Sequence, residues 1–556
     1  MRKNTIKIYC ENNQSEKEYP IGTTLAEIIE DQNINIGNAI LGAMVNHSLK
    51  ELNYMIYKPK TVRFIDYKHP DGKRMFMRSL SFVLFMAARE IYPNATLKIE
   101  HSYSNGFYCK LHCKTQLDYQ EATEKIKKRM QEIVEENLPF EREEIRTEEA
   151  YQIFNSFNLI DKCVLMGTRK QFYSSVYKLD GVVNYFYGYL VPSTSYLKIF
   201  DLKAYQDGMI LLPPESINPL KVEKLVKQDK LFGIFQEFKN WVDILGVPDI
   251  GRLNQATEKG EAGQIIKITE ALQEKKIAQI AGMIEERKND LKVILISGPS
   301  SSGKTTFAKR LAVQLSVSGF KPEVLSMDNY FLDRNQTPRD ENGEYDFETP
   351  YALDIELFNQ NMLDLFEGKK VDLPYFSFIT GMKSYNGNKL QLQDNSIILV
   401  EGIHGLNPMI SISIPEEKKY KIYVSALTPL SIDNTNRIPT TDNRLIRRIV
   451  RDFNHRNYSA YETIKRWPSV RAGEDKYIFP YQEEADVMFN TALLYELAVL
   501  KQYAEPILHA VPPIHQEYAE ARRLIKFLSY VTPIDGKEIP PTSILREFLD
   551  GSSFRY

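Results

Sequence analysis

The sequence predicts an α/β protein with a doubly wound parallel sheet in its C-terminal half and smaller α+β units ahead of it. Two observations lead there. Gly298-Pro-Ser-Ser-Ser-Gly303-Lys304-Thr305 stands between the β-branched run VILIS and an amphipathic stretch, TTFAKRLAVQL. Apolar runs of strand length (VILIS, EVLS and IILVE) also recur along this half. The later two lead into acids, Asp328 and Glu401, and open α/β sheets gather their chemistry at strand C-termini. At 556 residues the chain exceeds one hydrophobic core, so two to four domains are expected.

Bulk composition narrows the function classes. Lys plus Arg (71) nearly cancel Asp plus Glu (73), so no global charge calls for nucleic acid or an anionic membrane. No run of about 18 apolar residues and no signal-peptide core is present, and four scattered cysteines cannot build a disulfide framework. The expectation is a cytoplasmic protein with reduced thiols and no membrane partner. Cys109, His112 and Cys113 suggest a metal, but GFYCKLHCK alternates as a strand and puts His112 on the opposite face from both cysteines.

Residues 1–67 read as a strand at 3–9, a helix LAEIIEDQ capped by Thr23 or Thr24, and the alternating runs AILGAMVN and TVRFIDY. With PIGTTLAEI and AMVNHSLKEL, this unit resembles the β-grasp TGS domain, which implies binding or regulation. Residues 68–213 give a helix through RSLSFVLFMAAREIYP, the strand GFYCKLHCK, a charged helix QEATEKIKKRMQEIVEEN and an aromatic strand pair in VNYFYGYLVPSTSYLKIFDL. Their order resembles the editing domain of threonyl- and alanyl-tRNA synthetases. The family's hydrolytic histidines and cysteine fall here on Arg78, Phe82, Phe186 and Leu190. Phe and Leu neither ligate a metal nor move a proton, so this domain is expected to be a scaffold without hydrolytic chemistry. The N-terminal domains remain candidates for contacting RNA. Residues 214–290 form a Lys/Glu-rich helical connector, with Ile265, Ile266, Ile268, Leu272, Ile277, Ile280 and Ile284 on one face.

In residues 291–556 the glycine-rich loop supplies the phosphate cradle: Gly298, Ser300, Ser301, Ser302, Gly303, Lys304, Thr305 and Thr306. Its backbone N–H groups converge on phosphate oxygens, Lys304 reaches the β- and γ-phosphates, and Thr305 helps hold Mg²⁺. Asp328, after the second run, serves either as a base toward an acceptor hydroxyl or as a turn and cap residue. Glu401 ends the third run, where an acid points to Mg²⁺, held directly or through water. DNRLIRRIVRDFNHRN concentrates Arg444, Arg447, Arg448, Arg451 and Arg456 in one helix. It reads as a lid that closes on a transferring phosphoryl group, or as a solvated face.

GPSSSGKTT, SMDNYF, YDFETPYALD, ILVEGIHGL, RLIRRIVRD and FPYQEEADV, in that order, resemble the uridine kinase and phosphoribulokinase family over about 293–490. The resemblance implies an ATP- and Mg²⁺-dependent kinase in which Asp328 is the general base and Lys304, Arg448, Arg451 and Arg456 embrace the phosphates. It implies a substrate pocket of Phe331, Phe347, Glu348, Phe376, Gly381, Arg448 and Arg466, and a homo-oligomer. Several positions depart from uridine kinases: Glu348 replaces an Asp, Phe376 and Gly381 replace base-reading Tyr and His, Tyr458 replaces a lid arginine and Arg466 a Gln. Nucleoside phosphorylation is therefore the family default, with a sugar-phosphate kinase or a nucleotide-switched RNA-binding regulator as alternatives.

Overall fold

A computed structural model describes residues 5–341, 343–428 and 430–555. Residues 3 and 4 of the first expected strand lie outside this set. Among the described residues no helix is long and apolar enough to cross a membrane.

The chain opens on a mixed five-stranded sheet. Strand Thr5–Cys10 pairs antiparallel with Ser15–Pro20 and parallel with Lys60–Ile65, which continues antiparallel to Gly42–Val45 and then Ser48–Lys50. Its alternation, with Ile6, Ile8 and Cys10 inward, sets the register. Helix Leu25–Asp31 starts in a capping box, Thr24 and Glu27 satisfying each other's backbone N–H groups.

The next region is built on helix Pro70–Ile91, buried along most of its length. An antiparallel sheet runs in the order Asp201–Tyr205, Gly208–Leu212, Gly106–His112, Thr96–Tyr103. The aromatic run departs from the expected strand pair. Only Val182–Asn184 and Asp201–Tyr205 are strands, with a 3₁₀ turn at Thr194–Leu197 between them. Tyr185, Phe186, Tyr187, Leu190 and Val191 are all buried, so neighbouring side chains enter the core together and the two-residue alternation of a strand is lost. Phe82 and Phe186 pack ring on ring with centroids 5.5 Å apart, while the Arg78 guanidinium lies 4.6 Å over the Tyr187 ring. Phe82, Phe186 and Leu190 are thus buried apolar packing, and Arg78 is spent on an aromatic ring.

Three helices follow: Asp229–Leu245, Ile250–Glu258 and Ala262–Glu285. The last buries Ile265, Ile266, Ile277, Ile280 and Ile284, while Ile268 and Leu272 are half-buried. It packs on helix Lys304–Val317, where Arg310 meets Glu274 at 2.6 Å and Glu270 at 3.5 Å.

The C-terminal region carries a five-stranded sheet in the order Lys321–Ser326, Ser396–Glu401, Val293–Ser297, Lys419–Ser425, Val487–Asn490. Every pairing is parallel. Val293–Ser297 is buried at all five positions, as a central parallel strand covered on both faces must be. Ser326 and Ile296 both register with Glu401, so three strand ends meet at one edge.

The halves are joined by buried charge. Lys162, 1% exposed, sits 3.1 Å from Asp433 and 3.4 Å from Asp161, and donates to the Thr435 hydroxyl at 3.1 Å. Burial disfavours its charge, but the two carboxylates override that and raise its pKa. Removing one partner strands the others without compensation. Lys162→Met is expected to cost roughly 3–5 kcal/mol, read as a lower denaturant midpoint, with Asp433→Asn in the same chain recovering part of the loss.

Candidate active site

Gly298 ends the first strand because nothing larger fits: a Cβ there would lie 1.8 Å from the Val424 carbonyl oxygen. Gly303 adopts φ +84°, a left-handed conformation that glycine takes at no steric cost, and leads into the helix that begins at Lys304. Between them, four successive carbonyls are met from outside the loop or by its lysine. Lys304 Nζ donates to Pro299 O at 3.2 Å, Arg444 to Ser300 O at 3.1 Å and Arg447 to Ser301 O at 3.5 Å, while the Thr491 hydroxyl reaches Ser302 O. The C=O and N–H of a trans peptide point in opposite directions. Pulling these carbonyls outward therefore turns the N–H groups of Ser301, Ser302 and Gly303 toward the inside of the loop.

The arginine helix, Thr440–Arg456, corrects the lid expectation. Arg444 and Arg447 are 1% and 0% exposed, and Asn443, Leu445, Ile446, Ile449 and Val450 are buried beside them. Arg444 pairs with Glu474 through both terminal guanidinium nitrogens, and Arg447 pairs with Glu496. A helix with this much buried surface is part of the frame. Arginine density concealed two populations: Arg444 and Arg447 turn inward, whereas Arg448, Arg451 and Arg456 keep partial access to solvent. Arg448 donates to Ser300 Oγ at 2.8 Å, Arg451 lies 3.5 Å from Glu547, and Arg456 lies 3.3 Å from Asp452 and over the Phe378 ring.

The predicted acids converge. Ser326 Oγ donates to Glu401 at 2.8 Å and accepts from the Asp328 N–H at 3.3 Å, tying both acidic segments together. Burial, reinforced by the nearby Asp328 charge, pushes Glu401 up to about 7, and Lys304 works in the other direction. Lys304 is itself lowered by burial, against the pull of Glu401, Asp328 and Glu547. A buried acid so reluctant to ionise beside a second carboxylate suits a divalent cation, and Glu401 with the Thr305 hydroxyl would hold Mg²⁺.

The predicted substrate residues separate into two groups. Phe331 packs on Phe376 (5.5 Å), Phe378 (5.7 Å) and Phe347 (6.2 Å), forming an aromatic wall beside Asp328. Phe331 and Phe376 are buried, while Phe347 is half-buried and Phe378 is exposed, so the latter two offer ring surface to a ligand. Glu348 is pushed up to about 7 by burial, with Arg448 opposing and Glu474, Asp346 and Asp328 adding to the rise. Gly381 lies in the turn of hairpin Val371–Ser377 and Met382–Leu390, where its carbonyl accepts from Arg334 N–H at 2.8 Å. Arg466 is exposed and stacks on Tyr458 at 4.9 Å, outside the aromatic wall.

Sequence reasoning missed Glu474, Thr491, Glu496 and Glu547, each joined to the loop or its arginines from more than 29 residues away. It also missed His404, which is buried and pushed down to about 4 by that burial. EGIHG was the available signal for His404; the others carry none locally.

Residues 293–495 match the model of the phosphoribulokinase / uridine kinase family. Uridine kinases from Staphylococcus aureus strains JH9 and Newman are each 29% identical to the chain over 197 residues, which is 35% of this chain and 86% of theirs. A solved structure described as "Structure of a Possible Uridine Kinase from Bacillus stearothermophilus" is 19% identical, with a TM-score of 0.25, over 36% of this chain and 89% of that one. The likeness to this family lies in the C-terminal region, residues 293–495.

Glu348 gives a pH test. Its folded-state pKa is raised from 4.5 to about 7, so its stabilising contribution is complete below about pH 4.5 and is lost as pH rises through about 7. Thermal melts of the ligand-free protein from pH 5 to 8 should fall less steeply for Glu348→Gln than for the parent. Equal slopes would remove Glu348 from the account.

Proposed function

We propose that this protein transfers the γ-phosphoryl group of ATP to the 5′-hydroxyl of a nucleoside. One arrangement carries the reading: Asp328 stands at the strand edge with Glu401 and Lys304, flanked by the aromatic wall of Phe331, Phe347, Phe376 and Phe378. An aromatic wall suits the π-face of a base, whereas a sugar phosphate would call for cations at that place. Asp328 takes the proton of the attacking hydroxyl as its oxygen bonds to the γ-phosphorus. The bond from that phosphorus to the β,γ-bridging oxygen breaks, ADP departs, and the proton passes to solvent. Lys304 and the loop N–H groups hold the phosphates, and Arg448, Arg451 and Arg456 face the charge that moves. Mg²⁺, which Glu401 and the Thr305 hydroxyl would hold, would supply charge neutralisation at the phosphates.

The test is ATP consumption across a panel of nucleosides, ribulose 5-phosphate and no acceptor, with products identified by mass. One nucleoside should stand out. Asp328→Asn should lower its turnover by about 10²–10⁴-fold with ATP affinity unchanged, and near-normal turnover would remove Asp328 from the role of base.

A second activity in the N-terminal half is favoured by one observation: three tyrosines in the 185–189 stretch each carry cations. Arg169 lies 6.0 Å from the Tyr185 ring, Arg78 4.6 Å from Tyr187, and Arg142 and Lys526 at 5.4 and 6.0 Å from Tyr189. Burial and the three arginines lower Lys526 to about 8. Tyr185 and Tyr187 are buried, so the surface offered to single-stranded RNA is half-buried Tyr189 with the cations around it, in keeping with reading residues 1–213 as TGS-like and editing-like domains. Binding of a single-stranded RNA oligonucleotide should weaken with salt. The combined Arg78→Ala and Lys526→Ala variant should reduce the log–log slope by about 0.7 per cation removed; an unchanged slope rejects this surface.

A further inference from the structure

The last turn of the chain lies on the phosphate loop. The 3₁₀ turn Ile544–Glu547 begins where Ser543 caps the Leu545 N–H. Ile544 Cγ2 is 2.6 Å from the point where a side chain at Gly303 would start. Ile544, Leu545, Phe548 and Leu549 are all between 0 and 2% exposed, and Asn454 donates to the Phe548 carbonyl at 3.3 Å. Arg447, which holds the loop from behind, also lies 5.0 Å over the Phe548 ring. This segment is anchored as firmly as the core.

The turn delivers one carboxylate. Glu547 Oε2 accepts from the Thr306 backbone N–H at 3.1 Å and from the Thr306 hydroxyl at 2.8 Å, while its other oxygen lies 3.5 Å from Arg451. Thr306 is in the first turn of helix Lys304–Val317, whose N-cap, Gly303, has no side chain to satisfy the free N–H groups. Those N–H groups lie at the positive end of a helix, which is why such loops attract nucleotide phosphates. Glu547 therefore presents negative charge to a donor that a bound nucleotide would also claim, and a single N–H cannot serve both at full strength.

We infer that Glu547 is an internal competitor for the nucleotide phosphate site, a residue that sets how tightly nucleoside di- and triphosphates bind; this rests on reading the loop as the ATP site. In the free protein it supplies the missing cap. When phosphate arrives, its side chain swings to Arg451, already its neighbour, while the turn beneath stays in place. The competition acts on phosphate, so adenosine is indifferent to it.

The experiment is calorimetric titration of the full chain and of Glu547→Gln and Glu547→Ala with ATP, ADP and adenosine. Glu547→Gln keeps the shape and removes the charge, and melting curves of each variant establish that it is folded. ADP and ATP should bind at least 10-fold tighter to both variants, with adenosine unchanged. Unchanged or weaker ATP and ADP binding in a folded Glu547→Gln overturns the competition, as does an equal gain for adenosine, which would indicate simple steric opening. If ATP binds neither parent nor variants, the nucleotide reading of the loop fails and the competition with it. Binding to the parent without gain in the variants rejects the competition alone.

Discussion

The two buried guanidinium–carboxylate pairs, Arg444 with Glu474 and Arg447 with Glu496, are the constraint on which the site depends. A glycine- and serine-rich loop has little side-chain packing to hold it, so its shape must be imposed from behind. Both arginines spend some of their donors on carboxylates and others on loop carbonyls. Burial alone penalises such charges; the paired carboxylates and the loop carbonyls offset that penalty, although the Nε of each arginine is buried without a partner. Burial works against the charge of Arg444, yet Glu474 holds its pKa up, and Glu474 is held down by Arg444 and Arg471 against the same burial. Glu474 also accepts the Ser300 N–H at 3.1 Å, so one carboxylate fixes both the loop and the arginine that shapes it.

This constraint explains why the arginine helix is not free to move as a lid. Its inner face is committed to the loop, and its first turn is committed elsewhere. Asp442 takes two hydrogen bonds from Arg523 at 2.6 and 2.8 Å, Arg523 pairs with Glu520, and Glu520 lies 3.2 Å from Arg74 on helix Pro70–Ile91. Burial opposes ionisation of Glu520, but Arg523 and Arg74 overcome it and hold the carboxyl at about 2. The N-terminal half is thereby braced against the helix that shapes the phosphate loop, through alternating charges that each need their neighbour.

What the sequence disclosed and what it hid follow from how far each signal reaches along the chain. The phosphate loop, its flanking strand and helix, and the acids after two apolar runs are local patterns, and strand register then brings Glu401 beside Ser326 and Ile296. Phe331, Phe347 and Phe376 were named by family resemblance; with Phe378, which no signal singled out, they form the wall, two rings buried and two accessible. The partners of the arginines were illegible because Glu474 and Glu496 look like any helical glutamate. The aromatic run 185–191 misled for the opposite reason: strand propensity is strong there, but consecutive burial leaves no exposed face for a strand. Arg466 and Gly381, placed by resemblance, sit by a tyrosine and in a hairpin turn, where alignment carries no information about direction.

The charge around Lys304 connects these features to chemistry. Asp328, Glu401 and Glu547 all act on its amine, so three acids surround one lysine before any substrate enters. Arg448, Arg451 and Arg456 stand nearby, Arg451 3.5 Å from Glu547, and burial with their mutual repulsion lowers Arg456. A polyphosphate approaching alone would be drawn by the arginines and repelled by the acids. On the proposed reading, a polyphosphate carrying a divalent cation would meet both sets of charges, the acids through the cation and the arginines through its oxygens. This charge layout would then favour a metal-bound nucleotide over a free one, and it would do so only while the loop is held still. The buried arginine pairs provide that stillness.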